Sequence, residues 1–300
     1  MSKLSLILKI KEIYNTGENI LKFLKKNPKG PNEQEAIMIS YDCQAGTYTR
    51  LAKENAGYLH QYTDAIKKVI DELPIFKSIM EVGVGEATLM TRLMAKIDPK
   101  NSLRKYGFDI SWSRVRYARR NSEAFGIPIN LFMANLFEIP LPDSSVDIIY
   151  TSHSLEPNGG KEREALKELY RVARKFLILL EPNYETANKH GKRRMVRHGY
   201  VKNLVATAKD LGYEIVAHRP FEVSLNPLNP TGLTVIRKKR GAILTKLNYV
   251  CPVTKTKLKL FKNCYCSIKA GLIYPIVDEI PCLLSQHAIL ALHFPQFNKR

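Results

Sequence analysis

The stretch at residues 81–88, EVGVGEAT, decides the fold class, because it places two glycines between an apolar run and a helical pattern. The apolar run over 75–82 predicts a buried strand, and the pattern over 87–97 predicts a helix. Gly83 and Gly85 lack a Cβ, so the turn they form lets a ligand approach the backbone closely. This strand, turn and helix predict the start of a parallel sheet that binds a ligand at the carboxyl end of its first strand.

Strand and helix patterns continue to alternate after this turn. Further strands are predicted at 103–110, 129–134, 146–152, 176–180, 214–218 and 233–236, and helices at 113–125, 162–174 and 201–211. Alternation at this spacing is typical of a parallel sheet with helices on both faces. The Asn- and Pro-rich turn at 226–230 predicts that the last two strands form an antiparallel hairpin. The predicted fold is therefore α/β, with a Rossmann-like, mostly parallel seven-stranded sheet.

The segments on either side of this sheet differ from it in composition. Residues 4–26 predict an amphipathic helix, and shorter helical pieces follow to about residue 55. Residues 237–262 contain nine Lys or Arg and no acid, and the chain beyond has short strand patterns with little helical period. We predict a helical extension over 1–57, a central domain over 58–240, a linker near 237–243 and a small β-rich domain over 244–300.

Charge and composition restrict the location and the partners of the chain. The formal net charge of +19 favours an anionic partner such as a phosphorylated metabolite, nucleic acid or an acidic membrane surface, although a lysine-rich solvated surface gives the same total. No run of about 18 apolar residues occurs, so we predict no transmembrane segment. The amphipathic N-terminal helix leaves peripheral membrane contact open. Five unevenly placed cysteines and the lack of a signal-peptide pattern predict a cytoplasmic protein.

The residues around the glycine turn distinguish between two nucleotide cofactors. A dinucleotide site has a third glycine where this chain has Thr88. Glu81 ends the strand and Glu86 opens the helix, and carboxylates there would repel a pyrophosphate but attract a cation. S-adenosylmethionine has a sulfonium, an ammonium and no phosphate, so the charges favour it over NAD.

The turn resembles the first motif of class I S-adenosylmethionine-dependent methyltransferases, of the methyltransferase-11 kind. Three later segments resemble the following motifs of that family in order: 105–111 (KYGFDIS), 133–136 (MANL) and 141–147 (LPDSSVD). The resemblance covers about residues 58–237. It implies that this region is a methyltransferase domain with S-adenosylmethionine as its cofactor.

The resemblance also implies which residues contact the cofactor. Glu81, Gly83 and Gly85 match the first motif. Asp109 matches the acid that holds the ribose hydroxyls, since a carboxylate accepts two hydrogen bonds from a diol. Asn135 matches the polar residue that meets the adenine amino group, although many relatives have Asp there.

The segment 41–48, YDCQAGTY, resembles the Y-D-x-x-A-x-x-Y entry segment that closes over the cofactor in small-molecule methyltransferases. This resemblance implies contact between Tyr48 and the cofactor. Packing of Tyr48 within the lid itself is the alternative.

Acceptor-binding residues are expected after the fourth and fifth strands. His153 and Glu156 are candidate general bases, because an acceptor hydroxyl or acid must lose a proton and histidine titrates near neutrality. Packing is the alternative for His153. The loop at 189–198 contains five Lys or Arg, and Arg193, Arg194 and Arg197 are candidates to grip an anionic acceptor. A solvated basic loop is the alternative there.

The C-terminal region resembles the small zinc-ribbon-like activator of tRNA, rRNA and release-factor methyltransferases. The resemblance rests on CPVT at 251–254 and YPIVDEIPCLL at 274–284. Thr254 replaces the second cysteine of the opening motif. The remaining cysteines lack the paired spacing of a zinc site, so we predict a metal-free domain.

Three hypotheses of function remain at the level of sequence. The first is methyl transfer to an anionic small or medium-sized acceptor, such as a sugar or a surface-polymer precursor. The second is an RNA methyltransferase that uses the basic C-terminal domain. The third is a non-catalytic binding subunit with this fold, which an intact cofactor turn disfavours. The oligomeric state and the methylated atom stay open.

Overall fold

A seven-stranded sheet is the centre of the computed structural model, which describes residues 3–16, 20, 23, 33–224, 226–238 and 248–297. Its strands are β1 (Ser78–Val82), β2 (Arg104–Asp109), β3 (Asn130–Met133), β4 (Val146–Ser152), β5 (Ala173–Pro182), β6 (Glu214–Pro220) and β7 (Thr231–Arg237). They lie in the order β3-β2-β1-β4-β5-β7-β6, and β7 runs antiparallel to both neighbours. The predicted α/β fold and final hairpin are confirmed. The strand order reverses between β1 and β4, which is where open sheets of this kind bind ligands.

Helices cover both faces of the sheet and extend before it. They are α1 (Lys3–Asn15), α2 (Glu33–Cys43), α3 (Thr47–Glu54), α4 (Ala56–Asp71), α5 (Thr88–Ile97), α6 (Trp112–Phe125), α7 (Glu162–Val172), α8 (Lys189–His198) and α9 (Leu204–Asp210). The apolar stripe of α7 shows how they attach, since Ala165, Leu166, Leu169 and Val172 are all buried. Two large clusters of buried apolar residues result.

The basic segment 189–198 is the helix α8, whereas the sequence analysis treated it as a loop. Asn188 caps its start by accepting a hydrogen bond from the Gly191 N–H at 2.8 Å. Gly199 ends it with a φ of 67°, in the left-handed region where glycine has no steric penalty. The five cations are therefore held on a rigid element.

Two predicted segments lie partly outside the described residues. The helix predicted over 4–26 is described as α1 up to Asn15, and most of its second half lies outside. Of the linker predicted near 237–243, only the first two residues are described. Within the described residues, no helix has the length and apolar character needed to cross a membrane.

The C-terminal region forms a small second sheet. Its strands are β8 (Lys259–Phe261), β9 (Cys264–Ser267), β10 (Leu272–Val277), β11 (Ile280–Pro281) and β12 (Ile289–Leu290). In the described part of the chain, no three potential metal ligands come together. Cys251 instead lies 3.3 Å from the Tyr274 hydroxyl, and Cys282 is buried against Met133.

This small sheet is joined to the main one along the edge strand β3. Cys282 pairs with Met133 in a parallel bridge, and the Leu283 N–H donates to the Met133 carbonyl at 2.8 Å. Tyr274 and Leu283 belong to the same buried cluster as Phe132. The two sheets therefore share one hydrophobic core.

Candidate functional site

A cavity of about 320 Å³ opens at the carboxyl ends of β1 to β4, a volume within the range of small-molecule sites. Of the residues predicted from the sequence, those lining it are Tyr48, Glu81, Gly83, Gly85, Asp109, Asn135 and His153. Glu156 and the three predicted arginines of α8 are described residues that do not line it. The structure therefore brings the predicted cofactor residues together at one cavity, and the predicted arginines of α8 lie outside its lining.

The glycine turn needs its glycines for backbone conformation and for space. Gly83 and Gly85 have φ values of 65° and 53°. A Cβ on Gly83 would lie 2.4 Å from the Cβ of Ser154, in the loop that follows β4. Ala87 shares the left-handed conformation, with a φ of 54°, as the residue preceding α5. This turn is therefore held tightly between β1, α5 and the loop after β4.

Asp109 is buried and ties the end of β2 to the glycine turn. Its carboxylate accepts hydrogen bonds from the Gly85 N–H at 3.1 Å and the Ser111 N–H at 2.9 Å. Burial raises the pKa of Asp109, against the charge of Arg114 and these N–H donors. Because a carboxylate offers about four acceptor positions, two remain for a diol.

Glu81 lies at the end of β1 and is also buried. It accepts a hydrogen bond from the Tyr150 hydroxyl at 2.9 Å. Burial raises the pKa of Glu81 to about 8, and the charge of Asp109 adds to this effect. A cation placed nearby would favour ionised Glu81, since an opposite charge lowers the pKa of a carboxyl.

Glu86 has a different role from the one that the sequence suggested. We expected it to attract a cationic ligand, but its carboxylate caps α3. It accepts hydrogen bonds from the backbone N–H groups of Gly46 at 2.8 Å and Thr49 at 2.6 Å. The acid that opens α5 thus holds the lid formed by α2 and α3 onto the cofactor turn.

A second carboxylate attaches the same lid to the start of α6. Asp42 accepts hydrogen bonds from the Ser111 hydroxyl at 2.7 Å and the Ser113 N–H at 3.1 Å. Asn135, which follows β3, also contacts the lid. The Asn135 amide N–H donates to the Gln34 side chain of α2 at 3.0 Å. The Asn135 oxygen accepts from a backbone N–H at 3.1 Å and keeps one further lone pair for a ligand amino group.

Arg114, a buried residue of α6 that was not predicted from the sequence as a site residue, lines the cavity. Its guanidinium lies over the rings of Tyr41 and Tyr48, with distances of 4.8 and 4.3 Å to the ring centroids. Its position beside Val115 and Ala118, on the buried face of α6, was the available sequence signal.

His153 and Glu156 form a hydrogen-bonded pair after β4. Nδ1 of His153 lies 2.8 Å from the Glu156 carboxylate, and Nε2 lies 2.8 Å from the Thr231 hydroxyl. Burial lowers the pKa of His153, but the hydrogen bond and charge of Glu156 outweigh it and raise the pKa above 6.5. Burial raises the pKa of Glu156, and its hydrogen bonds outweigh that effect and lower it. Both ring nitrogens are therefore engaged within the protein.

The arginines of α8 point in two directions. Arg193 and Arg197 line a shallow pocket of about 530 Å³, together with Tyr184. Arg194 faces inward, and its guanidinium lies 5.4 Å from the Tyr200 ring centroid.

The end of α8 adjoins the loop after β4. The Gly159 N–H donates to the Gly199 carbonyl at 3.1 Å. A Cβ on Gly159 would lie 2.5 Å from that oxygen, so the two segments are in close contact. The preceding residues of this loop, Pro157 and Asn158, line the cavity.

Comparison with known proteins agrees with this geometry. Residues 79–175 match a family model described as "Methyltransferase domain". No curated protein matches the sequence. The chain is similar to magnesium protoporphyrin IX methyltransferase from Synechocystis PCC 6803 with bound SAH, at 17% identity over 67% of this chain and 99% of that chain, with a TM-score of 0.51. It is also similar to a chain from the complex between the Haloferax volcanii Trm112 methyltransferase activator and a methyltransferase. The identity is 14% over 67% of this chain and 98% of that chain, and the TM-score is 0.51.

The fold and the matched domain define an S-adenosylmethionine-dependent methyltransferase. The enzyme class predicted from the glycine turn is thereby confirmed, and S-adenosylmethionine is the cofactor of this class. The cavity agrees with that cofactor, because it combines a glycine turn, the buried acids Glu81 and Asp109, and a buried arginine donor without a partner among the described residues. The resemblance of the C-terminal sheet to an activator stays a prediction.

Proposed function

We propose that this methyltransferase acts on an anionic small or medium-sized acceptor, such as a sugar or a surface-polymer precursor. The observation that carries the proposal is the contact between α8 and the loop after β4. That loop forms one end of the cofactor cavity, and the C-terminal end of α8, a helix with five cations, contacts it. An acceptor held by its anionic part on α8 would therefore present its reactive atom to the cavity.

The residues at this end of the cavity position the acceptor and exclude water. S-adenosylmethionine supplies a methyl group already activated on a sulfonium. The protein's contribution to an in-line displacement is therefore orientation and a dry surface. Tyr62 supports this end, because its hydroxyl lies 3.0 Å from the Ser152 hydroxyl at the end of β4.

For His153 and Glu156 we propose a positioning role in place of general base catalysis. A base must contact the proton that it removes. His153 instead contacts Glu156 and Thr231, and its raised pKa favours the charged ring, which has no free lone pair. The pair links the loop after β4 to β7 and thereby fixes the acceptor end of the cavity.

The proposal is tested with the double variant Arg193→Ala/Arg197→Ala. Labelled methyl transfer from S-adenosylmethionine into fractions of a cell extract is measured at limiting extract concentration. Because two charge-assisted contacts are lost, we expect roughly a tenfold fall in label in the small-molecule or glycan fraction. The matched control Arg120→Ala/Lys209→Ala removes two exposed cations from other helices and should retain the wild-type rate. Equal rates for wild type and both variants would contradict the proposal.

An RNA acceptor is the second candidate, supported by the net charge of +19 and the basic stretch that leads into the C-terminal sheet. Ribonuclease treatment of the same extract separates the two candidates. Loss of label after ribonuclease, together with a steep fall in acceptor affinity as salt increases, would favour RNA.

A further inference from the structure

Arg114 contributes a guanidinium to the wall of the cavity. Of the described residues that line the cavity, it alone is a lysine or arginine. It is 2% exposed, and its Nε donates to the Tyr41 carbonyl at 3.0 Å. Nη2 of the same guanidinium is buried and has no hydrogen-bond partner among the described residues. A buried charged donor of this kind is stabilised by an acceptor oxygen, preferably an anionic one.

The acids of the cavity already have partners inside the protein. Glu86 is occupied by the N-terminus of α3, and Glu81 by the Tyr150 hydroxyl. Asp109 influences Arg114 by its charge, but its hydrogen bonds go to backbone N–H groups. None of these contacts gives the Arg114 guanidinium a carboxylate partner among the described residues, so an anionic group of a ligand in the cavity would supply one.

We propose that Arg114 binds the carboxylate of the amino-acid portion of S-adenosylmethionine. This inference rests on the cofactor assignment and extends it to a residue that the motifs do not include. The carboxylate is the anionic group of that molecule, and the sulfonium and ammonium are drawn to the acids instead. Nη1 lies beside the glycine turn, 3.5 Å from where a Cβ of Gly85 would be.

The Arg114 guanidinium lies over the rings of Tyr41 and Tyr48, and its Nε is also tied to the Tyr41 carbonyl. A planar guanidinium held in this way forms directional contacts with a carboxylate, which an ammonium cannot reproduce. Arg114 thus determines specificity for a cofactor that retains its carboxylate.

The test compares two ligands that differ by one group: S-adenosylmethionine and decarboxylated S-adenosylmethionine. Their dissociation constants are measured by calorimetry. We expect the wild-type protein to bind S-adenosylmethionine about tenfold to a hundredfold more tightly, since a hydrogen bond to a charged group is worth that factor. In Arg114→Met the two ligands should bind equally, because only S-adenosylmethionine loses affinity. Arg114→Lys should give an intermediate ratio.

Arg92→Met is the matched control, because Arg92 lies over the Phe125 ring and does not line the cavity. Its ligand preference should equal that of the wild type. If Arg114→Met weakens both ligands by the same factor, or if the wild type does not distinguish them, Arg114 supports the lid alone and the proposal is wrong. Failure of the wild type to bind either ligand would overturn the cofactor assignment and this proposal together.

Discussion

The pair of His153 and Glu156 gives a pH dependence that can be measured at a single residue. In the variant Glu156→Gln the hydrogen-bonded charge is lost while burial remains, so the pKa of His153 should fall below its wild-type value. Nuclear magnetic resonance titration of the histidine ring protons measures this change, with His153→Gln to assign the signal. The exposed variant Glu164→Gln should leave the titration unchanged.

The same pair should affect stability in a defined pH range. A raised pKa of His153 stabilises the fold below pH 6.5 and ceases to do so as pH rises through the folded value. A lowered pKa of Glu156 stabilises the fold above pH 4.5 and ceases to do so as pH falls through the folded value. The difference in unfolding free energy between wild type and Glu156→Gln should therefore be largest between pH 4.5 and pH 6.5. A difference independent of pH would contradict the ion pair.

At the scale of elements, the lid depends on a carboxylate that belongs to the cofactor turn. Glu86 is 1% exposed and caps α3, so Glu86→Ala leaves part-buried N–H groups without this acceptor. We expect a loss of about 1–3 kcal/mol in unfolding free energy, measured in urea, and weaker binding of S-adenosylmethionine. Glu54→Ala removes an exposed acid from the other end of α3 and should be nearly neutral. Unchanged cofactor affinity in Glu86→Ala would show that the lid does not contribute to binding.

The strands of the main sheet could be predicted from the sequence, whereas helix α8 could not. The seven strands have apolar runs of the right length, bounded by turns, and all were found. Helix α8 was missed because it buries only Gly191 and Met195 and so has no apolar stripe, although Asn188 and Gly199 mark its ends.

The roles of Glu86 and Arg114 could not be predicted, because they depend on contacts between distant residues. Glu86 meets Thr49 across 37 residues, and Arg114 meets Tyr41 across 73. The residues next to each of them in the sequence do not indicate such long-range contacts. By contrast, Glu81, Gly83 and Asp109 could be predicted from the sequence, because each ends or follows a strand at the same edge of the sheet.

At the scale of the whole molecule, the two sheets should unfold together because they share a core. Tyr274 is fully buried in the cluster that spans both. Tyr274→Ala should cost about 3–5 kcal/mol and lower the melting temperature of the entire chain in a single calorimetric transition. Leu260→Ala, at a position 58% exposed on β8, should have little effect. A separate low-temperature transition in Tyr274→Ala would show that the small sheet is an independent unit.

The bridge between Met133 and Cys282 also affects how the protein is made. The two residues are separated by about 150 positions in the chain, and ribosomes add about 5–20 residues per second. Strand β3 therefore leaves the ribosome roughly 7–30 seconds before its partner does. During that interval the nascent sheet has an unpaired edge that can join other chains. We therefore expect the yield of folded protein in a cell to depend on protection of this edge as well as on the stability of the finished molecule.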